Sequence, residues 1–444
     1  MATITVPLKG RYQDFHIPVD DDRISVLQCR DPKSAEEPDQ IIRSALRQPY
    51  GSPPLSHIGH RGDRAVLLFD DWTRPTPIHQ FIQPVIEELK VGGIREEDIM
   101  LVCANGMHAP EHMTDKRLVQ KIGEHVYSRY KVLSHDAYAE DQHAFIGFTR
   151  TLGTPVLINR QVVEADLKVA VGRIAPHREF GYSGGGKMMV PGVASIHTIM
   201  HNHAFSLPRL GVYRNPVRED IDESSRMAGL NFIINVVCNS KNEIVGAVAG
   251  DPVKAHQAGI QFGDREVWGA AKRDVADIVI ASPGMNKDRY FYTSLRCLHN
   301  AHRCLRKDGT VIIIASCDCG WTDPKYLERK WQVPEDILEY SAEELIRLVE
   351  SREWCTPKRQ FQALIFFVQN IYRLCREMDV CIAGANDVSR SYAEKLGLHW
   401  CRSVEDALDE AVRRHTQKDR ITIIPDYFIT PINSSTRASG IQSN

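Results

Sequence analysis

The sequence predicts an α/β protein of two domains, each with a mostly parallel sheet flanked by helices. Three observations carry this reading. Apolar runs of strand length alternate with helical patterns along most of the chain, as in a sheet covered on both faces. The alternation restarts near Lys272, after a long helical stretch. The length, 444 residues, is more than one hydrophobic core commonly serves. The expected division is a first domain at 1–271, a second at 272–433 and a polar tail at 434–444.

The elements follow in order. Alternating runs at 3–8 and 24–27 suggest an initial β segment, and 35–47 reads as a helix ended by Pro49. The run 65–69 is a strand, and Thr76-Pro77 resembles an N-cap with a first-turn proline, so a helix is expected to reach Leu89. A second strand at 98–104 precedes Asn105-Gly106-Met107-His108, and a third at 167–171 precedes a glycine-rich stretch. Strands at 232–238 and 243–249 read as a hairpin across Asn239–Asn242, and 253–271 as a helix. In the second domain, strands are expected at 278–281, 310–315, 380–383 and 421–424, and helices at 290–306, 334–350, 359–377 and 404–414.

Composition narrows the function. A net charge of −2 gives no reason to expect a nucleic acid or a membrane surface as partner. No apolar run approaches the roughly 20 residues that span a bilayer. The first residues, MATITVPLKGRYQDF, lack the basic-then-apolar pattern of a signal peptide. The eleven cysteines are scattered and odd in number, which suits reduced thiols in a cytoplasm.

The chemistry concentrates between Gly172 and His203. Gly184, Gly185 and Gly186 can take φ > 0 and turn successive N–H groups toward an anion. Lys187 follows them, and Pro191 suits the first turn of a helix over 192–205. Gly181 to Lys187 formally matches the G-x-x-x-x-G-K phosphate loop, but Met188 stands where the Mg²⁺-binding hydroxyl belongs. His197 and His201 are spaced to share a helix face, and His203 follows; spacing leaves the choice of metal ligand among the three open. Asp71, Thr73 and Arg74 follow one strand, His108 another, and His177 and Lys187 a third. That is where open α/β sheets bind ligands. His16, His57, His135 and His256 are assigned to surface or core.

Three motifs together resemble the nickel-dependent lactate racemase family. They are Asp71-Trp72-Thr73-Arg74-Pro75-Thr76-Pro77, Asn105-Gly106-Met107-His108, and Pro176-His177-x₃-Gly181-Tyr182-Ser183-Gly184-Gly185-x-Lys187-x₃-Pro191-Gly192-Val193-Ala194. The resemblance implies a two-domain racemase or epimerase of 2-hydroxy acids with its active site in the interdomain cleft. It implies a nickel-pincer nucleotide, that is, pyridinium-3,5-bisthiocarboxylic acid mononucleotide with nickel, covalently attached at Lys187. It makes His203 the nickel ligand and His108 and His177 the acid–base pair. Asp71, Thr73, Arg74, Ser183, Gly184 and Gly185 then surround the cofactor. The implied partners are the substrate and the enzymes that make the cofactor, with a homodimer as one open assembly.

One region departs from the family. A glutamine and a lysine that face the substrate there are replaced by Thr293 and Arg296, near Tyr292; Trp354 matches an active-site tryptophan. Substrate binding is therefore expected from Arg74, Tyr292, Thr293, Arg296 and Trp354, with a hydroxy diacid or a sugar acid favoured over lactate. Two alternatives share these residues: another redox or lyase reaction with the same cofactor, and a non-catalytic carrier of it. A carrier would need Lys187 and His203 but not two further histidines.

Overall fold

The computed structural model describes residues 2–17, 21–27, 30–34, 36–205, 211–268, 276–284, 287–322, 338–341, 343–344, 347, 367–414 and 420–425. The chain forms two compact units, one of Arg30–Val267 and one of Met1–Cys29 with Trp268–Asn444. The division falls between Val267 and Trp268, where the sequence suggested 271. The first 29 residues, however, belong with the second unit, for a reason of strand pairing given below.

Three strands precede the first unit: β1 (Ala2–Leu8), β2 (Arg11–Ile17) and β3 (Ile24–Val26). The first unit then supplies β4 (Ala65–Asp70), β5 (Ile99–Ala104), β6 (Lys131–Ser134), β7 (His143–Phe148), β8 (Pro155–Asn159) and β9 (Leu167–Arg173). It ends with β10 (Pro176–His177), β11 (Gly181–Tyr182), β12 (Phe232–Cys238) and β13 (Ile244–Gly250). Its main sheet has the order β13-β12-β9-β4-β5-β6. All pairs are parallel except the β12–β13 hairpin. The central strands read as unbroken apolar runs because helices cover both faces; all six residues of β4 are buried. Phe69, Phe81 and Phe232 are fully enclosed in that core, each worth about 1.5–3 kcal/mol of apolar burial.

The order of strands fixes where a ligand can sit. β4, β5 and β6 step outward in one direction, and β9 returns to the other side of β4. The connections after β4 and β9 therefore diverge, and a crevice opens at the carboxyl ends of those two strands.

In the second unit, β14 (Ala276–Ala281), β15 (Leu305–Ile314), β16 (Asp379–Ala383), β17 (His399–Cys401) and β18 (Ile421–Ile424) form a parallel sheet. Its order is β17-β16-β15-β14-β18-β3. β3 extends the edge by pairing with β18. The β1–β2 hairpin turns at Lys9 and Gly10, with φ of 55° and 75°, the two positive values of a tight hairpin turn. It lays Ile4, Val6, Phe15 and Ile17 against Ile278, Ile280 and Ile312.

Several helices differ from expectation. Thr76 does not cap a helix: its hydroxyl donates to Asp70 at 2.5 Å, and the α-helix starts at Ile82 after a short 3₁₀ turn. The helix expected at 192–205 is Ile196–His203, capped by Ser195, so Pro191 lies in the preceding turn. The helical pattern 290–306 breaks into Phe291–Ser294, a 3₁₀ turn at Leu295–Cys297 and Leu298–Cys304. The hairpin β7–β8 and strand β6 were not foreseen. The expected helix 334–350, most of 359–377, and the tail 434–444 lie largely or wholly outside the described residues.

Candidate active site

The loop after β4 carries Asp71, Thr73 and Arg74. It is held from below by Lys121, which is 7% exposed. Lys121 Nζ pairs with Asp70 at 2.5 Å and donates to the Arg74 carbonyl at 2.8 Å. Asp71 is buried and turns its carboxylate inward. Thr73 donates to it from its N–H at 3.2 Å and from Oγ1 at 2.6 Å, and His108 Nδ1 meets the other oxygen. Burial pushes the Asp71 carboxyl up, but the charge and hydrogen bond of His108, with Arg74 and Thr73, outweigh it and hold the group below its usual range. A carboxylate at Nδ1 fixes the proton there and leaves Nε2 of His108 as the outward atom. The turn before His108 is anchored too. Gly106 N–H donates to the Gly192 carbonyl at 2.8 Å, and Asn105 Nδ2 to the His135 carbonyl at 2.8 Å.

The segment after β9 carries His177, Phe180 and Lys187, and these three side chains meet. The His177 ring stacks on Phe180 with centroids 4.9 Å apart, and Lys187 Nζ lies 4.2 Å from the centre of the same ring. The Glu179 N–H donates to His177 Nδ1 at 3.3 Å. Burial drives the His177 imidazole well below its ordinary range, helped by the charges of Lys187 and Arg74. Burial also drives the Lys187 amine well below a lysine's usual range; Arg74, Arg218 and Arg178 act in the same direction and Glu179 opposes them.

The glycines serve a purpose other than the one expected. Ser183 N–H donates to the Ala175 carbonyl, Gly185 N–H to Asn235 Oδ1 at 2.8 Å, and Lys187 N–H to the Gly184 carbonyl at 3.4 Å. Of the three glycine N–H groups, that of Gly185 is thus used within the protein. A Cβ on Gly185 would lie 2.4 Å from Arg218 Nη2, at a φ of 59°; one on Gly186 would lie 2.4 Å from Ser225 Oγ. The run is therefore glycine because buried side chains press against it. Ser183 likewise turns its hydroxyl inward, donating to the Arg173 carbonyl at 2.8 Å.

The three helix histidines separate in space. His197 is half-buried and faces Glu140 at 3.7 Å. His201 Nδ1 bonds Thr154 Oγ1 at 3.1 Å. His203 meets the edge of Phe180, centroids 4.8 Å apart, and so shares that ring with His177 and Lys187. Its Nδ1 is buried without a hydrogen-bond partner among the described residues. Burial lowers its pKa to about 4, which keeps the imidazole neutral, the state a metal ligand requires. Among the described residues no three His, Cys, Asp or Glu side chains group to hold an ion.

Tyr292, Thr293 and Arg296 belong to the other unit, on the short helices after β14. The Tyr292 ring is 3% exposed and packs beside Trp321 and Phe367. Arg296 is half-buried, its guanidinium 5.9 Å from the Tyr292 ring centre and its Nε without a hydrogen-bond partner. Trp354 lies outside the described residues. Sequence reasoning missed Phe180, Glu179, Lys121 and Arg218, and took His256 as an ordinary histidine. A lone Phe or a charged residue in a helix carries no signal until its neighbours from distant segments are known.

Comparison with known proteins bears on the whole chain. Residues 10–211 match the lactate racemase N-terminal domain and residues 271–429 the lactate racemase C-terminal domain. The chain is 32% identical to a lactate racemase of Thermoanaerobacterium thermosaccharolyticum over 76% of its length and 80% of that protein's. It is 26% identical to a lactate racemase of Lactiplantibacillus plantarum over 87% and 89%. The structure of the T. thermosaccharolyticum lactate racemase apoprotein superposes with a TM-score of 0.78, at 27% identity, covering 98% of this chain and all of that one. A Thermotoga maritima protein shares the fold at a TM-score of 0.57 and 16% identity, covering 90% of this chain and 99% of that one.

Proposed function

The chain is an isomerase of the lactate racemase family, and from that premise we propose that it inverts C2 of a 2-hydroxy acid with a nickel-pincer nucleotide tethered to Lys187. The observation that carries the reading is the meeting of His177, Lys187 and His203 on Phe180, beside the crevice that also receives the Asp71–His108 pair.

The residues fit such a group. Among the described residues Lys187 Nζ makes no hydrogen bond or ion pair, and burial favours the amine without its proton, the form that can be acylated. His203 offers a neutral imidazole with an unbonded buried nitrogen. Arg74 gives the region a positive charge of the kind that a phosphate needs. When bound, the group would supply the acceptor and donor for the hydride of C2.

The protein's part is proton transfer and orientation. Inverting one carbon requires a proton-transfer group on each side of it. Asp71 fixes His108 so that Nε2 meets the substrate hydroxyl. The Glu179 N–H occupies Nδ1 of His177, so that ring also works through Nε2. Arg74 is exposed and carries a fork suited to a carboxylate. Arg296 and Thr293 favour a substrate with more oxygens than lactate, a hydroxy diacid or sugar acid. All nine cysteines among the described residues are free, which suits a cytoplasmic setting.

The test is the fate of deuterium at C2. Cofactor-loaded enzyme would be given C2-deuterated 2-hydroxy acid in ordinary water. Retention of the label on carbon through many turnovers is the expected result. Rapid washout would overturn hydride transfer in favour of two-base proton abstraction at carbon.

A further inference from the structure

The floor beneath the lysine loop is a buried polar cluster that the reaction itself does not use. Arg218 is 1% exposed and His256 is fully buried. Arg218 Nη1 donates to the carbonyls of Tyr182 at 3.4 Å and Gly184 at 3.1 Å. His256 Nε2 lies 2.7 Å from the carbonyl of Ser183, the residue between them. A carbonyl only accepts, so Nε2 bears the proton and Nδ1 keeps its lone pair. That lone pair accepts from Arg218 Nη2 at 3.1 Å. Asp222 neutralises the guanidinium from the far side at 3.1 Å. One residue further along, Ser225 Oγ donates to the Gly186 carbonyl at 2.9 Å.

Four carbonyls in the five residues before Lys187 are thus drawn away by side chains from elsewhere in the fold. All four are backbone acceptors within five residues of Lys187 in the chain. We propose that Arg218 and His256 are positioning residues for Lys187: by holding the carbonyls of Tyr182, Ser183 and Gly184 from below, they leave its Nζ without an acceptor and present it as a nucleophile. The inference rests on the tethering role given to Lys187 above. It accords with the place of the amine over the face of Phe180. It also explains the glycine at 185, where any Cβ would strike Arg218 and His256. An amine hydrogen-bonded to a loop carbonyl would be held back from an incoming acyl group; an amine denied that bond is free to attack.

The test uses the full-length chain without cofactor, at one fixed pH, and needs no racemase activity. Lys187 is acetylated with limiting acetic anhydride, and its rate relative to surface lysines is read by peptide mass spectrometry. Two variants of one position separate positioning from packing. His256→Gln keeps a donor for the Ser183 carbonyl and an acceptor for Arg218; His256→Leu keeps neither. The expected result is acetylation of Lys187 in the native chain, a rate within about threefold of native for His256→Gln, and at least a tenfold loss for His256→Leu, as the freed carbonyl captures the amine. Equal rates in all three proteins would overturn the proposal, as would equal losses in the two variants or no acetylation of native Lys187. If the loaded enzyme proves not to be a racemase while the labelling pattern holds, only the functional reading fails.

Discussion

Asp71 determines which nitrogen of His108 carries the proton. With the carboxylate at Nδ1, the imidazole presents Nε2; an amide there could donate instead of accept and would favour the other tautomer. Asp71→Asn is therefore expected to lower kcat by about 10²-fold or more while the fold stays intact, checked by steady-state kinetics beside circular dichroism. On the proposed reading Arg296 bears on specificity rather than chemistry. Its Nε lacks a partner among the described residues, and a guanidinium offers a planar fork where lysine offers a movable point charge. Arg296→Lys should cut kcat/KM for the preferred substrate by about tenfold or more. The measurement compares lactate with hydroxy diacids and sugar acids. A native preference for lactate, or a silent substitution on every substrate, would remove Arg296 from the pocket. At this scale residue type singled out His108, His177 and Lys187 as candidates and left His203 one of three histidines, and the fold brings His177, Lys187 and His203 onto one ring, Phe180. It was not legible where a role depends on approach from afar. His256 and Ser183 are 73 residues apart, and nothing local marks either as half of a pair. The glycines were noticed for an unusual backbone, and at 185 and 186 they also make room for buried side chains, which no local pattern announces.

Elements were legible where burial is two-sided. The strands β4, β9, β12 and β14 are mostly apolar runs, and their positions were readable to within a residue or two. β6, with its partly exposed residues, and the β7–β8 hairpin were missed because their faces are mixed. The helix start after Pro191 was misjudged because a first-turn proline and a proline in a turn look alike in sequence. One element-scale contact makes a pH prediction. His135, just past β6, is 1% exposed; its Nε2 donates to the Ala194 carbonyl at 3.0 Å and its Nδ1 accepts from Asn159. It thereby ties the end of β6 to the turn before helix Ile196–His203. Burial lowers its pKa to about 3. In the unfolded chain it titrates near the ordinary value of about 6.5. Between those values the unfolded state takes up a proton that the folded state refuses. Stability is therefore lost as pH falls, by up to about 1.4 kcal/mol per unit on account of this one group. His135→Gln keeps a donor but does not titrate, so the slope of unfolding free energy against pH between about 6 and 4 should flatten. Denaturant melts at several pH values check this, and an unchanged slope would mean that His135 is not held neutral.

At the scale of the molecule, chain order and spatial membership disagree over the first 29 residues. Their apolar alternation announced strands, but pattern alone does not say which sheet a strand joins. Pairing decides it: Ile24, Ser25 and Val26 lie in parallel register with Ile421, Thr422 and Ile423. The β1–β2 hairpin buries Ile4, Val6, Leu8, Phe15 and Ile17 against β14, β15 and the helix Val404–Arg414. The Lys9 N–H donates to the buried carboxylate of Asp288 at 2.8 Å. Five apolar side chains at about 1.5–3 kcal/mol each make a contribution comparable with the whole net stability of a domain. A fragment of residues 268–444 alone should therefore fail to fold, exposing the Ile278, Ile280 and Ile312 face and the open edge of β18. Adding a peptide of residues 1–29 in trans, or fusing it through a flexible linker, should restore a cooperative melt. Residues 30–267 contain a complete sheet and core, and should fold without either. Circular dichroism melts of the three preparations test the assignment. If 268–444 melts cooperatively by itself, or if 30–267 requires residues 1–29, then the N-terminal strands do not complete the second unit.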